Sequence, residues 1–299
     1  MKKKLILFLL LLLFILFLMS VWISRKNNQQ INRRENSESL TGQTLSTSKF
    51  FDPALFDEGI TIASRQNTSF SEKVGGGIVP HHLLASHLIA DFFSGLSQKN
   101  YKTIVLLGPN HDESGGKILT SSLTWDTPFG SVMADTEIVS FLLTKNIAQE
   151  DLEVFGEEHS LATLIPFIKF YLPDTRVVPI ILRKTTTKEE LVTLAEVLKN
   201  FYSEEKLIIT SIDFSHYLNS EQAKSNDKVT LKYMQTFDYE KLLNLSSDYI
   251  DSPPSIVGLL MTMQKIRKTK MKVIENTNSG EILNDKSIPS TSYFSIIYY

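Results

Sequence analysis

The sequence predicts an α/β fold, an α/β/α sandwich with a mostly parallel central sheet. Short apolar runs alternate with helical patterns over about 200 residues, which is the signature of that architecture. Residues 103–107 form one such run, rich in β-branched residues and leucine as a buried central strand should be, and Gly108 and Pro109 stop it before Asn110 and His111. Residues 75–79 repeat the plan upstream: Pro80 ends the run and His81 and His82 follow at once. In open parallel sheets ligands bind beyond the carboxyl ends of the strands, where the loops converge. Two strands that each deliver a histidine to such a loop therefore predict two ligands of one site.

The remaining elements follow in order. Residues 82–96 carry apolar side chains at helical spacing and predict the loop and helix after the first strand. Residues 118–123 and 130–134 flank a turn-rich stretch, Asp126 to Phe129, and predict a hairpin-like excursion. A helix is expected over 136–145, and an amphipathic helix over 159–172, opened by Glu157 and Glu158 and kinked at Pro166. Residues 176–182 predict a strand whose Pro179 favours an edge or irregular position. A helix over 188–201 leads to a buried strand over 206–211, after which come Asp213 and His216. Helices over 227–237, 239–245 and 256–267 and strands over 272–275 and 292–298 complete the chain. No internal repeat is evident.

With 299 residues, 42% hydrophobic and 21% charged, the chain is long enough for one large or two modest domains. There are no cysteines, which excludes disulfides, zinc–cysteine sites and thiol nucleophiles. The net charge of −2 hides an asymmetry: residues 1–34 hold seven of the 31 basic residues and none of the 33 acidic ones. The acidic remainder argues against nucleic acid as a partner. Lys2, Lys3 and Lys4 precede residues 5–23, an apolar run with Ser20 as its only polar member. At about 1.5 Å per residue this run spans a bilayer core as a helix. A cleaved signal peptide is the rival reading, but the run exceeds the usual apolar region and no small-x-small cleavage site follows. The expectation is a single-pass membrane anchor over 1–23, a polar stalk over 24–70, and a domain over 71–299 that lies extracytoplasmically.

All six histidines lie between 81 and 216. His87 sits inside an amphipathic helical pattern and reads as structural, whereas His81 and His111 read as metal ligands. Asp213 and His216 have the spacing of a carboxylate that orients an imidazole, with helix or turn capping as the alternative. Glu158 and His159 read either as a functional pair or as a helix start.

Four motifs together resemble the Memo-like family, whose prokaryotic members are called AmmeMemoRadiSam system protein B. They are IVPHH at 78–82, LLGPNH at 106–111, EEHS at 157–160 and SIDFSH at 211–216, in the family's order and spacing over about residues 75–299. The family is similar in fold to LigB-type class III extradiol dioxygenases, which hold non-haem iron. The resemblance implies metal ligation by His81 and His111, with His82 as the competing member of its pair. The family's third ligand, a cysteine, falls by alignment on Asp251, while His159, Asp213 and His216 match the other polar groups of the pocket. Two histidines and a carboxylate imply iron(II), with zinc or copper as alternatives. The implied activity is a dioxygenase-like oxidoreductase on a small substrate, with His159 or His216 moving protons and Glu158 or Asp213 orienting them. A non-catalytic binding module and a metal-dependent hydrolase are the other readings. The family resemblance also implies a functional link to radical SAM proteins.

Overall fold

Four parallel strands lie at the centre of the molecule. The structure, a computed structural model, describes residues 44–299. In chain order the elements are β1 (Thr44–Ser46), α1 (Pro53–Gln66), β2 (Gly76–Val79), α2 (Ser86–Leu96), β3 (Thr103–Pro109), β4 (Ile118–Thr120) and β5 (Thr124–Asp126). Next come α3 (Thr136–Thr144), β6 (Gln149–Glu150), α4 (Leu152–Glu157), α5 (His159–Ala162), α6 (Ile165–Tyr171), β7 (Arg176–Leu182), α7 (Lys188–Phe201) and β8 (Lys206–Ser211). The last are α8 (Ser220–Gln235), α9 (Tyr239–Leu243), α10 (Pro253–Lys265), β9 (Met271–Asn278), α11 (Ser279–Ile282) and β10 (Ser292–Tyr298). The main sheet has the order β6-β4-β7-β3-β8-β2-β10-β9. Within it β7, β3, β8 and β2 are mutually parallel, while β10 joins β2, and β4 joins β7, in antiparallel pairs.

Period-two alternation gives the two faces of this sheet different partners. Val105, Leu107, Val178, Ile180 and Ile208 share one apolar cluster with Leu191 and Leu194 of α7 and Ile256 and Leu260 of α10. The opposite face carries α2 and α5, with α1 and α6 packed against α2. Gly77 shows how closely α2 approaches: a Cβ there would lie 2.4 Å from the Phe92 ring. The sandwich predicted from the sequence is thus present, with antiparallel flanks on its parallel centre.

Four expectations are corrected. First, β7 is internal, between β3 and β4, so of the edge and irregular positions expected for Pro179 only the irregular one holds. Its Pro179 is tolerated because β4 ends at Thr120, opposite Ile180, so no strand partner remains for an N–H at 179 on that side. The Thr120 hydroxyl donates to the Pro179 carbonyl instead, at 2.7 Å. Second, the helix expected over 159–172 is two pieces, α5 and α6, and Pro166 sits in the first turn of α6, where a proline costs no hydrogen bond. Third, the stalk expected over 24–70 gives way to structure from Thr44 on. β1 pairs with β5, and Phe56 of α1 is buried with its ring centroid 4.5 Å from that of Phe167.

The fourth correction concerns location. Among the described residues no helix is long and apolar enough to cross a membrane. The run 5–23, on which the expected anchor rested, lies outside those residues. The single-pass membrane location is therefore withdrawn.

Candidate metal centre

Each parallel strand hands the chain to a loop at its carboxyl end, and three of these loops supply the site. Pro80 breaks β2 and leaves His81 over the sheet edge; β3 ends at Pro109 and leads to His111; β8, between them, ends at Ser211 and leads to Asp213. The fourth contribution comes from α5, whose first residue is His159. A Cβ on Gly108 would sit 2.6 Å from Leu161 Cδ2, so the glycine lets α5 dock on β3.

The imidazoles of His81, His111 and His159 converge. Each offers a ligand atom, and these atoms all lie within 4.8 Å of one another. The His111 and His159 rings stack at 4.3 Å, and His81 meets each edge-on at 5.2 Å. Local partners decide which nitrogen is free on two of them. Ser211 Oγ donates to the Ser160 carbonyl at 2.6 Å, so toward His81 Nδ1, 3.1 Å away, it can only accept. His81 therefore carries its proton on Nδ1 and points the Nε2 lone pair into the site. Glu158 does the same for His111, accepting from Nδ1 at 2.8 Å and from the backbone N–H at 2.7 Å. This arrangement, with the outer nitrogen held by a carboxylate or hydroxyl, fixes the tautomer of a metal-binding histidine.

Two buried carboxylates close the floor. Asp251 Oδ2 lies 3.4 Å from His81 Nε2, and Asp213 Oδ2 lies 3.7 Å from it. The two aspartates clasp each other through the backbone: Asp213 N–H donates to Asp251 Oδ2, and Asp251 N–H donates to the Asp213 carbonyl. Asp251 does not cap α10, a role taken by Ser252. Its Oδ1 is buried with no hydrogen-bond partner among the described residues. An orphaned oxygen on a carboxylate whose other oxygen lies beside an inward-facing imidazole is what a bound cation would satisfy. The donor set thus fits a divalent metal, and the His81–His111–His159 cluster can hold one.

Electrostatics agree. Burial, then repulsion from His111 and His159, pushes the His81 ring well below its ordinary value, so it is neutral and able to ligate. Burial works to lower His111 as well, but the Glu158 hydrogen bond and charge win and raise it. Burial would raise Glu158, yet the hydrogen bonds from His111 and Ser160 hold its carboxyl down at about 2. Burial raises Asp213, and burial together with repulsion from Asp213 raises Asp251 far above the usual carboxylate range. A cation among these groups reverses that last effect.

Several expected residues have other neighbours than the sequence suggested. No hydrogen bond joins Asp213 to His216 among the described residues; Asp213 Oδ1 accepts from the His81 backbone N–H at 3.1 Å. Burial lowers His216, whose Nδ1 is buried without a hydrogen-bond partner among the described residues. Glu158 grips His111 and lies farther, 3.6 Å, from His159 Nδ1. His82 turns away: its ring is exposed, stacks on Tyr293 and lies 3.1 Å from the Tyr293 hydroxyl. His87 lies 3.5 Å from Glu275, apart from the cluster. Sequence reasoning missed Ser211 and Ser160 as positioning groups. Ser211 was visible only as a polar residue ending an apolar strand.

Fold and site together define a class: an α/β sandwich whose strand ends assemble a histidine cluster capable of holding a metal. The Memo-like protein family model matches residues 56–297. The chain belongs to that family. A MEMO1 family protein of Pyrobaculum aerophilum is 28% identical over 75% of this chain and 83% of its own length. One from Aquifex aeolicus is 32% identical over 62% of this chain and 71% of its own. A crystal structure of an uncharacterized Escherichia coli protein is similar with a TM-score of 0.48 and 13% identity, over 74% of this chain and 99% of that one.

Proposed function

We propose that this cluster is a non-haem metal centre, iron(II) in the first instance, that binds and oxidises a small substrate. The observation that carries the reading is the convergence of His81 and His111, each with its outer nitrogen already committed, with buried Asp251 placing its Oδ2 3.4 Å from His81 Nε2. His81, His111 and Asp251 are the ligands in this reading. Two imidazoles and a carboxylate form the set that, with iron(II) bound, leaves open positions for substrate and oxygen. His159 is less constrained than the other two: its side chain is 43% exposed and Glu158 stands 3.6 Å from it. It is therefore the group that moves a proton to or from the substrate, with its neutral form favoured by burial and by His111. Asp213 holds the His81 backbone by accepting from its N–H.

The three-histidine geometry favours a second reading, since three imidazoles also hold a zinc-bound water for hydrolysis. Metal analysis of purified variants separates the two. His81→Ala, His111→Ala and Asp251→Ala should each lose most of the bound metal, His159→Ala should keep it, and His87→Ala should match wild type. Full metal in Asp251→Ala with loss in His159→Ala would establish the three-histidine site. Substrate-dependent oxygen uptake supports oxidation; hydrolysis without uptake refutes it.

A further inference from the structure

Residues 44–52 form a strap that the matched family region, beginning at residue 56, does not include. The strap is fastened on both sides of one aromatic residue. Before it, β1 adds to β5, Thr44 Oγ1 donates to Asp126 Oδ2 at 2.7 Å, and the buried Thr47 donates to the Asp126 carbonyl from its N–H and hydroxyl at 3.1 and 2.9 Å. After it, Asp52 caps α1 by accepting from the Ala54 and Leu55 N–H groups. Between these points the chain makes a single 3₁₀ turn, Ser48–Phe50, closed by the Phe50 N–H donating to the Thr47 carbonyl at 2.9 Å. Lys49 pairs with Glu157, next to the residue that grips His111. All this fixes the half-buried Phe50, whose ring centroid lies 6.1 Å from that of His159, tilted by 43°. That separation is within the range of a favourable aromatic pair.

The consequence is chemical. His111 and His159 are the more open members of the cluster, with side chains 33% and 43% exposed, so a substrate reaching the centre passes their side of it. Phe50 is an apolar, flat face beside that side, in a neighbourhood otherwise built of imidazoles and carboxylates. We propose that Phe50 is a specificity-determining residue of the metal centre, a wall that favours substrates with a planar unsaturated group next to their metal-binding atoms. This inference rests on the metal-centre reading above.

The test uses two hydroxamate probes that share one metal-chelating head and differ in the group beside it: acetohydroxamate, with a methyl, and benzohydroxamate, with a phenyl. Their affinities are measured by calorimetry on the full-length chain loaded with zinc(II), which is redox-silent and takes the same nitrogen and oxygen donors. Wild type should prefer benzohydroxamate. Phe50→Ala should lower that preference by about three- to tenfold, through weaker benzohydroxamate binding and unchanged acetohydroxamate binding. Phe50→Tyr should keep the preference, and Phe50→Leu, which retains bulk without the aromatic face, should keep only part of it. An unchanged preference in Phe50→Ala, with both probes bound, would overturn the role of Phe50 and leave the metal centre standing. Failure of the wild-type chain to take up zinc(II) would overturn the metal reading and the wall with it, whereas zinc uptake with neither probe bound, or with acetohydroxamate preferred, would overturn the wall alone.

Discussion

Glu158 is the residue on which most of the centre's order depends. Its two oxygens accept from three N–H groups: the His111 backbone, the His111 ring and the Ser160 backbone. A glutamine there keeps one acceptor oxygen and presents an NH₂ group to N–H donors that have nowhere else to turn. Glu158→Gln should therefore lower metal affinity by about ten- to a hundredfold, the usual cost of losing the partner of a ligating histidine. Competition against a chromogenic chelator measures this directly. Ser211→Ala should act on His81 in the same direction and more weakly, since a neutral hydroxyl is a poorer partner than a carboxylate. Wild-type affinity in Glu158→Gln would mean that His111 is oriented by packing alone.

Elements matter because the start of α5 delivers both Glu158, its N-cap, and His159, its first residue, and its seat is Gly108 in β3. A Cβ at position 108 would lie 2.6 Å from Leu161 Cδ2 and 2.9 Å from Ser160 Oγ, and Leu161 is fully buried. Gly108→Ala must therefore lift α5 off the strand, which should cost about 1–3 kcal/mol of stability by overpacking. It should weaken metal binding as well, because Ser160 holds Ser211 and Glu158 holds His111. Urea unfolding and chelator competition on one preparation report both effects; lost stability with unaltered affinity would uncouple α5 from the site. At this scale the sequence is unevenly legible. Helix α7 could be read to its ends, since Thr187 and Glu190 form a capping box ahead of a regular apolar stripe. The start of α8 could not, although Asn219 and Gln222 cap it in the same way, because its first turns, SEQAKSN, carry almost no apolar spacing. β1 and α1 were hidden because the polar composition of the stretch before them was read on through residue 70.

In the whole molecule, strand order turns residues far apart in the chain into one site. His81 and His111 were legible because each follows closely on a strand, and a residue just past a parallel strand has one place to go. Their partners were not: Glu158 to His111 spans 47 residues and Asp213 to His81 spans 132, and neither pairing is written in local spacing. The same separation sets what metal removal should do. The core lies in apolar clusters on both faces of the sheet, below a site made of a few residues at its carboxyl rim. Chelation should therefore leave the far-ultraviolet circular dichroism spectrum unchanged. Its cost is the binding free energy alone, about 2.7 kcal/mol when free metal is a hundredfold above Kd. For a domain of this size that corresponds to a fall in Tm of about 5–10 °C. Thermal unfolding with and without a chelator measures it. Loss of helical signal on chelation would show that the metal holds the loops and α5 in place as a folding element, and that the strand ends do not assemble the site by themselves.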